Sequence, residues 1–481
     1  MISIANYING ELKECHSGKE LDVFNPSNGE VYAKVPDSDA SDIEEAVIAA
    51  KKAYSSWSST TIEERHDYLM KISKAIEADL ENLALAESID NGKPSWLTKE
   101  VDIPRAASNM RFFATAIMQF SSESHEMNGK AVNYTLRKPL GPVACISPWN
   151  LPLYLFTWKI APALAAGNTV VAKPSEVTPM TAYLLSKICI AIGLPAGVLN
   201  VVHGQGQKTG ALLSTHKDIK AISFTGSTKV GADIAMKAAP SFKKYSLEMG
   251  GKNPNIIFAD CDYEKMLKTT LRSSFANQGQ ICLCGSKIFV EKPIYEKFKS
   301  DFVNKTKALK VGHPQKETTK IGAIVSKVHF DKINYYINLA KEEGGKLLCG
   351  GNSIKPEGYE NGWYIEPTVI EGLPLNCRTN KEEIFGPVVT IMSFENEAEA
   401  LEMANDNDYG LAATIWTQDL SRAHRIASEI EAGIVWINSW LLRDLRTPFG
   451  GMKNSGVGRE GGFEALRFFT ETKNVCIDYS K

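Results

Sequence analysis

Hydrophobic and polar residues alternate with two different periods along most of the chain. Apolar positions recur at helical spacing over 40–55, 62–90 and 100–120, which predicts amphipathic helices there. The run AVNYTLRK within 121–141 alternates residue by residue, which is typical of a β-hairpin. The first part of the chain is therefore expected to be helical, followed by a short β excursion.

From residue 142 onward, strand-like and helix-like segments follow one another regularly. The strand-like runs are VACIS, TVVAKPS, VLNVVHG and AISFTG, and each precedes a helical segment. This repeat predicts an open parallel sheet with helices on both faces. Ligands of such sheets bind beyond the carboxyl ends of the strands. Those ends are residues 147–150, 173–176, 204–206 and 225–227.

A second series of strands and helices begins after LEMGGKNP. The runs NIIFAD and KIFVEK precede predicted helices over 263–276 and 294–309, so we place a domain boundary near residue 250. A chain of 481 residues also favours two lobes over one. The last twenty residues include FFTETKNVCIDYS, which indicates a β segment that pairs outside its own lobe.

Composition excludes several classes of protein. The chain has 54 Lys+Arg against 56 Asp+Glu, a net charge of -2, which argues against nucleic-acid binding. The apolar stretch 143–172 is interrupted by Asn150, Lys159, Asn168 and three prolines, so we expect no membrane span.

The cysteines and the start of the sequence indicate a reducing compartment. The nine cysteines are odd in number and scattered, so a disulfide framework is not expected. There is no CxxC or HExxH pattern to support a metal site, and MISIANYING lacks the features of a secretory signal. We expect a cytoplasmic protein without a bound metal.

Two turns at strand ends are compatible with a dinucleotide. The G-x-G-x-x-G at 456–461 follows no predicted strand, so it is not interpreted as a dinucleotide fingerprint. A predicted helix that opens at Ser227 offers free N–H groups to a pyrophosphate, and Glu176 is placed to accept bonds from ribose hydroxyls. A Glu there would repel a 2′-phosphate, which favours NAD over NADP. By spacing alone, ordinary turns explain these features equally well.

Cys282 and Cys284 lie in the polar, glycine-containing segment FANQGQICLCGS ahead of a predicted strand. A thiolate nucleophile needs partial exposure and an activating group, whereas most cysteines are simply buried. Glu248 and the Glu382-Glu383 pair are candidate partners. Glu248, between apolar residues and two glycines, is less typical of a solvated surface glutamate.

Together these segments resemble a known family. SPWNLPL, KPSE, FTGS, LEMGGKNP, NQGQICLC, EEIFGP and PFGGMKNSGVGRE, in this order and spacing, are similar to the NAD(P)-dependent aldehyde dehydrogenase superfamily over residues 7–478. Co-occurrence of all seven motifs by chance is not credible.

The resemblance implies the aldehyde dehydrogenase fold of the α/β class. A Rossmann-like parallel-sheet cofactor domain would comprise 1–120 and 141–250, and an α/β catalytic domain would comprise 251–455. A small β oligomerisation flap or bridging segment would comprise 121–140 and 456–481. Family members assemble as homodimers or homotetramers, and either state is expected here.

The resemblance also implies residue roles. Cys282 would be the nucleophile, Asn150 and the Cys282 N–H the oxyanion donors, and Glu248 the general base that hydrolyses the thioester. Lys159, in the WK pair, would position the Asn150 region. The expected NAD-binding residues are Ile146, Ser147, Pro148, Trp149, Lys173, Ser175, Glu176, Gly206, Phe224, Thr225, Gly226, Ser227, Leu247, Gly250, Glu383 and Phe385.

Two arginines indicate a substrate. An arginine that precedes PFGG, where many family members have an aromatic residue, suggests a substrate carboxylate held in bidentate fashion. DIPR and NSWLLRDLRTPFGG resemble the branch that acts on 2-aminomuconate and 2-hydroxymuconate 6-semialdehydes, which implies that Arg105 and Arg443 hold that carboxylate. Trp158 and Phe449 are further expected substrate contacts, and Arg111 and Arg446 are nearby candidates.

Two alternatives remain at this stage. Relatives in the same branch are assigned to retinal-like apolar aldehydes, and Tyr154, Phe156, Trp158 and Trp440 could line a tunnel for such a chain. A non-catalytic dehydrogenase fold used for binding is a more remote alternative, since Cys282, Glu248 and Asn150 are all present.

Overall fold

The computed structural model describes residues 1–480, in which two large parallel sheets are covered by helices. The α-helices are α1 Ala40–Ser58, α2 Ile62–Ala78, α3 Leu80–Asn91, α4 Ser95–Leu97, α5 Ile103–Met118, α6 Pro152–Ala165, α7 Met180–Ala191, α8 Ala211–Thr215, α9 Thr228–Ala238, α10 Tyr263–Phe275, α11 Lys292–Lys307, α12 Lys327–Glu342, α13 Arg378–Lys381, α14 Glu397–Asn405, α15 Leu420–Glu429 and α16 Gly462–Phe468.

The strands are β1 Ile2–Ser3, β2 Asn6–Ile8, β3 Glu11–Lys13, β4 Glu20–Asn25, β5 Glu30–Pro36, β6 Ser124–Met127, β7 Ala131–Pro139, β8 Pro142–Ile146, β9 Thr169–Lys173, β10 Leu199–Val201, β11 Ala221–Thr225, β12 Lys244–Glu248, β13 Asn253–Ile257, β14 Gly285–Glu291, β15 Lys346–Cys349, β16 Ser353–Ile354, β17 Tyr364–Ile365, β18 Thr368–Glu371, β19 Val388–Phe394, β20 Tyr409–Gly410, β21 Ala412–Trp416, β22 Ile434–Ile437, β23 Met452–Lys453, β24 Gly456–Val457 and β25 Thr470–Asp478.

The first sheet has the strand order β24-β12-β11-β8-β9-β10-β2-β3, and β12, β11, β8, β9 and β10 run parallel. These strands are apolar and buried on both faces, as expected where helices cover a parallel sheet. The chain adds β9 and β10 on one side of β8, and β11 and β12 on the other. This reversal opens a crevice at the carboxyl ends, where ligands of such sheets bind.

The second sheet has the order β15-β18-β19-β14-β13-β21-β22, parallel except for β15. The segments that precede β13, β14 and β19 carry Gly250, Cys282 and Phe385. β12, in the first sheet, ends at Glu248, and β13, in the second, begins at Asn253, so only four residues separate the two strands. The amino edge of the second sheet therefore lies close to the carboxyl edge of the first.

A smaller sheet joins two distant parts of the chain. β25 pairs with β7 along its whole length, and β7 pairs with β6. The predicted hairpin within 121–141 and the predicted C-terminal β segment are both confirmed. Within 456–481, however, Gly456–Val457 is β24, which adds antiparallel to the edge of the first sheet beside β12. The glycine motif there does not join a parallel strand to a helix.

The helix boundaries show where the sequence pattern misleads. The prediction of one helix over 62–90 is wrong, because α2 and α3 are separated at Asp79, whose ψ of 21 is not helical. A one-residue break preserves the spacing of apolar residues, so periodicity does not reveal it. The helix predicted from residue 100 is α5, which begins at Ile103 after a π-helical turn over Thr98–Asp102.

Start signals in the sequence fix several other helices. Asp39 with Asp42 and Thr61 with Glu64 form capping boxes at α1 and α2.

Within residues 1–480 no helix is long and apolar enough to cross a membrane. All nine cysteines are free thiols.

Candidate active site

A cavity of about 490 Å³ lies where the two sheets meet. Its lining includes five residues that the sequence predicts for the site: Cys282, Glu248, Arg105, Arg443 and Phe449. Residues from the carboxyl edge of the first sheet and from the amino edge of the second therefore face one space.

The turn before Cys282 requires unusual backbone conformations. Asn277, Gln278 and Gly279 have φ of 51°, 57° and 71°, in the left-handed region. A Cβ at Gly279 would collide with the carbonyl oxygen of Gly386. Only glycine combines this φ with so close an approach of backbone, so the QGQIC sequence dictates the turn that presents the thiol.

The Cys282 thiol is half-buried at the cavity and its backbone is fixed. The Asn253 amide donates to the carbonyl oxygens of Cys282 and Cys284 at 2.7 and 2.9 Å. Burial raises the pKa of the Cys282 thiol, and the carboxylates of Glu383 and Glu248 raise it further, while Arg443 opposes them. Formation of the thiolate therefore requires a proton acceptor. Burial also raises the pKa of Cys284, to about 12. Cys284 is buried and, within residues 1–480, is not part of the cavity lining, so Cys282 is the thiol that a substrate in the cavity can reach.

Asn150 lies next to this turn. Its Nδ2 donates to the carbonyl oxygen of Gln280 at 3.1 Å, two residues before Cys282. Its own carbonyl oxygen accepts from Asn277 Nδ2 at 3.0 Å. The side-chain amide is thereby held against the turn that carries Cys282. An amide NH₂ has two N–H donors, so one remains for an oxyanion.

Glu248 is a buried carboxylate at the same cavity, with 3% of its surface exposed. Neither carboxylate oxygen has a hydrogen-bond partner among residues 1–480. Burial raises the pKa of Glu248 well above its ordinary value, with a contribution from Glu460, while Lys159 opposes the shift. A carboxylate with a raised pKa is suited to accept a proton near neutral pH.

The carboxyl edge of the first sheet forms a polar cradle. Glu176 accepts from Lys173 Nζ at 3.1 Å and from the Gly206 N–H at 3.1 Å. Burial favours the protonated form, but Lys173 and these N–H groups leave the pKa of Glu176 below its ordinary value. Ser227 caps α9, its hydroxyl accepting from the Val230 N–H at 3.4 Å. A carboxylate and a helix amino terminus therefore flank one crevice.

Two glycines leave room at this crevice. A Cβ at Gly226 would collide with the Phe224 ring, and a Cβ at Gly250 would collide with the Glu383 carboxylate. Glu383 also accepts from the Gly251 N–H at 3.0 Å. The rings of two other predicted cofactor residues, Trp149 and Phe385, pack edge to face with their centroids 5.3 Å apart. The remaining ones lie at or just beyond the ends of the strands of the first sheet: Ile146, Ser147, Pro148, Ser175, Thr225 and Leu247. These donors and gaps fit a dinucleotide.

Two arginines in the lining of the same cavity converge on Tyr154. The Arg105 guanidinium lies over the Tyr154 ring, 5.5 Å from its centroid, and Arg443 Nη1 donates to the Tyr154 hydroxyl at 3.1 Å. Burial, and then the neighbouring Arg443 cation, lower the pKa of Arg105 despite an opposing effect of Tyr154. Its Nε and Nη2 are buried without a hydrogen-bond partner in the part of the chain described.

The other predicted substrate residues divide into two groups. Phe449 lines the cavity, with the Arg443 guanidinium 4.1 Å from its ring centroid. Trp158 is buried behind Arg443, which lies 5.5 Å above its ring, and it is not part of the lining traced from residues 1–480. Trp158 therefore supports an arginine and does not face the cavity. Arg111 and Arg446 form surface ion pairs with Glu77 and Asp444.

Comparison with known proteins identifies the family. The sequence profile of the aldehyde dehydrogenase family matches residues 13–475. The chain belongs to the aldehyde dehydrogenase family. It is 48% identical over 480 residues to the 2-aminomuconic semialdehyde dehydrogenase of Danio rerio, covering 99% of this chain and 98% of that one.

Two further matches each cover 99% of this aldehyde dehydrogenase. The 2-hydroxymuconic semialdehyde dehydrogenase of Pseudomonas sp. (strain CF600) is 44% identical over 99% of this chain and 100% of its own. The NAD+ complex of an aldehyde dehydrogenase from Bacillus cereus superposes with a TM-score of 0.97 at 37% identity, covering 99% of this chain and 97% of that one. The predicted fold and family are confirmed.

In this aldehyde dehydrogenase, Lys159 forms no hydrogen bond within residues 1–480 to the Asn150 region, which it was expected to position. Lys159 Nζ donates to Glu460 Oε1 at 2.6 Å and to the Ser223 hydroxyl at 3.2 Å, and within residues 1–480 it has no bond to Asn150. Lys159 therefore pairs with Glu460, the carboxylate whose charge contributes to the raised pKa of Glu248. Lys93, which the sequence did not single out, contacts Asn150 instead, its Nζ 2.9 Å from the Asn150 carbonyl oxygen.

Metal chemistry has no candidate ligand set here. Within residues 1–480 there is no group of three His, Cys, Asp or Glu side chains placed to hold a metal ion.

Proposed function

We propose that this aldehyde dehydrogenase uses NAD to oxidise a semialdehyde that ends in a carboxylate, of the 2-aminomuconate or 2-hydroxymuconate 6-semialdehyde class, to the dicarboxylic acid. The observation that carries the proposal is the pair of arginines at the cavity, Arg105 and Arg443. The names of the relatives at 48% and 44% identity support the same substrate class.

The two arginines have unmet electrostatic requirements. The Arg443 cation contributes to lowering the pKa of Arg105, and within residues 1–480 neither arginine forms a salt bridge with a carboxylate. Burying unpaired cations costs free energy, and a bound carboxylate would offset that cost for both. The planar guanidinium also matches a carboxylate with two parallel hydrogen bonds.

Acylation follows from the groups around Cys282. The thiol releases its proton to solvent, its sulfur adds to the aldehyde carbon, and the carbonyl π electrons move to oxygen. The Asn150 amide and the Cys282 N–H stabilise the resulting oxyanion of the thiohemiacetal. Removing one such donor typically costs about 10²–10³ in rate. When bound, NAD supplies the nicotinamide that accepts the hydride. The product on the enzyme is a thioester of Cys282.

Hydrolysis of that thioester is assigned to Glu248. Its buried, unbonded carboxylate takes a proton from water, and the resulting hydroxide attacks the thioester carbon and releases the acid and the thiol. Lys159 and Glu460 modulate the charge beside Glu248. Glu248 favours transfer of the acyl group to water over transfer to a thiol cofactor.

NAD is supported as the cofactor by the crevice of the first sheet. The α9 amino terminus at Ser227 suits the pyrophosphate, and the Glu176 carboxylate suits the adenosine ribose hydroxyls. Lys173, Gly206, Glu383 and the remaining cradle residues would complete the site. The matched structure from Bacillus cereus is described as an NAD+ complex.

We also infer that the chain assembles as a homodimer or homotetramer through 121–140 and the C-terminal strand. Most of β25 and all of β6 are exposed in the single chain, which supports an interface there. In this division, 1–120 and 141–250 bind NAD and 251–455 carries the nucleophile. Light scattering on the purified protein tests the assembly, since a monomer at micromolar concentration would contradict it.

The substrate proposal is tested by NADH formation, followed by absorbance, with three aldehydes: 2-hydroxymuconate semialdehyde, retinal and a plain aliphatic aldehyde. We expect a specificity constant about a hundredfold or more higher for the semialdehyde, equivalent to about 2.7 kcal/mol. Cys282→Ala should abolish turnover with all three. Equal or higher rates with retinal would replace the semialdehyde by an apolar substrate, which the apolar part of the lining, such as Leu155 and Trp440, would then hold.

A further inference from the structure

A buried cluster of charged side chains lies directly behind Asn150. Lys93 is completely buried, with its Nζ 2.7 Å from Asp102 Oδ2 and 3.6 Å from Glu87 Oε1. Glu87 Oε2 in turn accepts from the Leu153 N–H at 3.1 Å, at the start of α6. The cluster therefore contacts the chain just after Asn150 as well as Asn150 itself.

The third contact of the Lys93 ammonium is the carbonyl oxygen of Asn150, at 2.9 Å. The preceding carbonyl, of Trp149, accepts from Asn91 Nδ2 at 2.9 Å. Two residues of the segment at the end of α3 thus bond to successive carbonyls of the loop between β8 and α6. That loop belongs to no helix or strand. The Asn150 peptide is therefore held by these bonds together with the bond from Asn277 Nδ2 to the same carbonyl, and Lys93 supplies the charged one of its two donors.

Stability alone does not account for the cluster. Asp102 is the ion-pair partner of Lys93, because its carboxylate oxygen lies 2.7 Å from Nζ and that of Glu87 lies 3.6 Å away. Burial, opposed by Lys93 and assisted by Asp102, raises the pKa of Glu87 to about 8. Apolar side chains often replace such a buried ion pair at no cost in stability. A charged group aimed at one backbone carbonyl instead gives a defined position to that peptide.

Asp102 connects the cluster to the substrate end of the cavity. It lies at the last position of the π-helical turn and lines the cavity, and Arg105 follows three residues later on α5. Local π-helical turns are frequent at functional sites. Lys93 therefore bonds both to the loop of the oxyanion donor and to the beginning of the helix that carries an arginine of the substrate site.

We propose that Lys93 is a positioning residue for the oxyanion site: paired with Asp102, its ammonium holds the Asn150 peptide so that the side-chain amide meets the oxyanion formed at Cys282. The inference rests on the proposed function only in the assignment of Cys282 and Asn150, and not on the identity of the aldehyde.

Ester cleavage tests this role without NAD or a semialdehyde. With p-nitrophenyl acetate, the Cys282 sulfur attacks the ester carbonyl, the C–O bond breaks, and p-nitrophenolate leaves. Water then hydrolyses the acetyl thioester to acetate and the thiol. The oxyanion of the attack step requires the same two donors, so release of p-nitrophenolate reports on the position of the Asn150 amide.

We expect Asn150→Ala to slow this release by about 10²-fold or more, and Lys93→Met by about tenfold or more. The Lys93→Met/Asn150→Ala double variant should be no slower than Asn150→Ala, because Lys93 acts through Asn150. Lys243→Met is the matched control, since Lys243 is also buried and bonds to two backbone carbonyls, of Ser214 and His216, away from the cavity. It should match the wild type.

Losses that multiply in the double variant, or a Lys93→Met rate within about twofold of the wild type, would overturn the proposal. If Lys93→Met does not fold, the charge-balanced Lys93→Met/Asp102→Asn variant replaces it, and the same loss is expected. A wild type that cleaves the ester but oxidises no semialdehyde refutes the proposed substrate and leaves the role of Lys93 to be decided by the variants. A wild type without ester cleavage overturns the oxyanion site and the role of Lys93 together.

Discussion

At the scale of single residues, the environment of Glu248 explains how one carboxyl group can act as a base near neutral pH. It is 3% exposed and its oxygens are without hydrogen-bond partners in residues 1–480. Glu460, held by Lys159, adds a like charge nearby. Both burial and the like charge favour the protonated form, so loss of that proton becomes the pH-sensitive event.

Glu248→Gln should retain one round of NADH formation and lose steady turnover, because glutamine keeps the shape but cannot accept a proton from water. We expect the steady rate to fall by about 10²–10⁴-fold. Stopped-flow absorbance should show a burst of NADH close to the enzyme concentration. Glu264→Gln, at an exposed position on α10, is the control. Unchanged steady turnover in Glu248→Gln would remove Glu248 from hydrolysis.

The same residue predicts a direction of pH dependence. The base form of Glu248 is lost as pH falls through a pKa that burial has raised above the ordinary carboxyl range. Turnover of the wild type should therefore decline with falling pH well before an exposed glutamate would protonate, and the residual rate of Glu248→Gln should lack that limb. A pH profile of kcat for both proteins checks this.

Glu176 predicts the choice between NAD and NADP. Its carboxylate is ionised and held by Lys173 and the Gly206 N–H at the crevice, so a 2′-phosphate would meet a like charge. In Glu176→Gln the ratio of kcat/KM for NADP to that for NAD should rise by about tenfold or more, equivalent to about 1.4 kcal/mol. An unchanged ratio in parallel cofactor titrations would show that Glu176 does not set the preference.

The sequence predicts the chemical role of a residue where that residue lies in a recognisable motif. It does not predict contacts between side chains that are far apart in the sequence and close together only in the folded chain. Cys282, Glu248, Arg105 and Arg443 line one cavity as expected. Lys93 lies 57 positions from Asn150 in the sequence, and no periodicity connects them. Lys159 lies in a motif, but its partner Glu460 is 301 positions away, so sequence spacing does not reveal this contact.

At the scale of elements, the left-handed turn before Cys282 is the most constrained feature. Gly279→Ala places a Cβ against the Gly386 carbonyl at a φ of 71°. We expect a destabilisation of about 1–3 kcal/mol, with a lower thermal midpoint and loss of turnover through displacement of Cys282. Gly312→Ala is the control, because its φ is ordinary and its nearest neighbour is 3.5 Å away. Equal melting of the two variants would contradict this account.

Elements were predictable where local signals are strong. The alternating strands and helices from 142 onward, and the start of α9 at Ser227, follow from apolar runs and a capping side chain. The break at Asp79 and the π-helical turn before α5 were not predictable, because each leaves the apolar spacing nearly unchanged.

At the scale of the whole molecule, the site exists because two sheets present opposite edges to each other. β12 ends at Glu248 and β13 begins at Asn253, so the chain crosses from the carboxyl edge of one sheet to the amino edge of the next within a few residues. The sequence indicates the two series of strands but not how their edges meet. That arrangement depends on long-range packing, which periodicity does not record.

Arg105 and Arg443 line this shared cavity, and the central claim that the substrate ends in a carboxylate rests on them. Each has a matched neighbour outside the cavity: Arg111 follows Arg105 on α5, and Arg446 follows Arg443 in the same loop, and both form surface ion pairs. Surface pairs of this kind contribute little to stability. The chain therefore supplies its own control for the loss of an arginine.

The most direct test measures kcat/KM for 2-hydroxymuconate semialdehyde and for a plain aliphatic aldehyde in Arg105→Ala, Arg443→Ala, Arg111→Ala and Arg446→Ala. We predict that the first two lower the semialdehyde value by about 10–10²-fold each, as expected for a lost charged hydrogen bond, and leave the aliphatic value nearly unchanged. Arg111→Ala and Arg446→Ala should leave both values unchanged. A semialdehyde value that survives loss of Arg105 and Arg443, or an equal fall with both aldehydes, would contradict the carboxylate site.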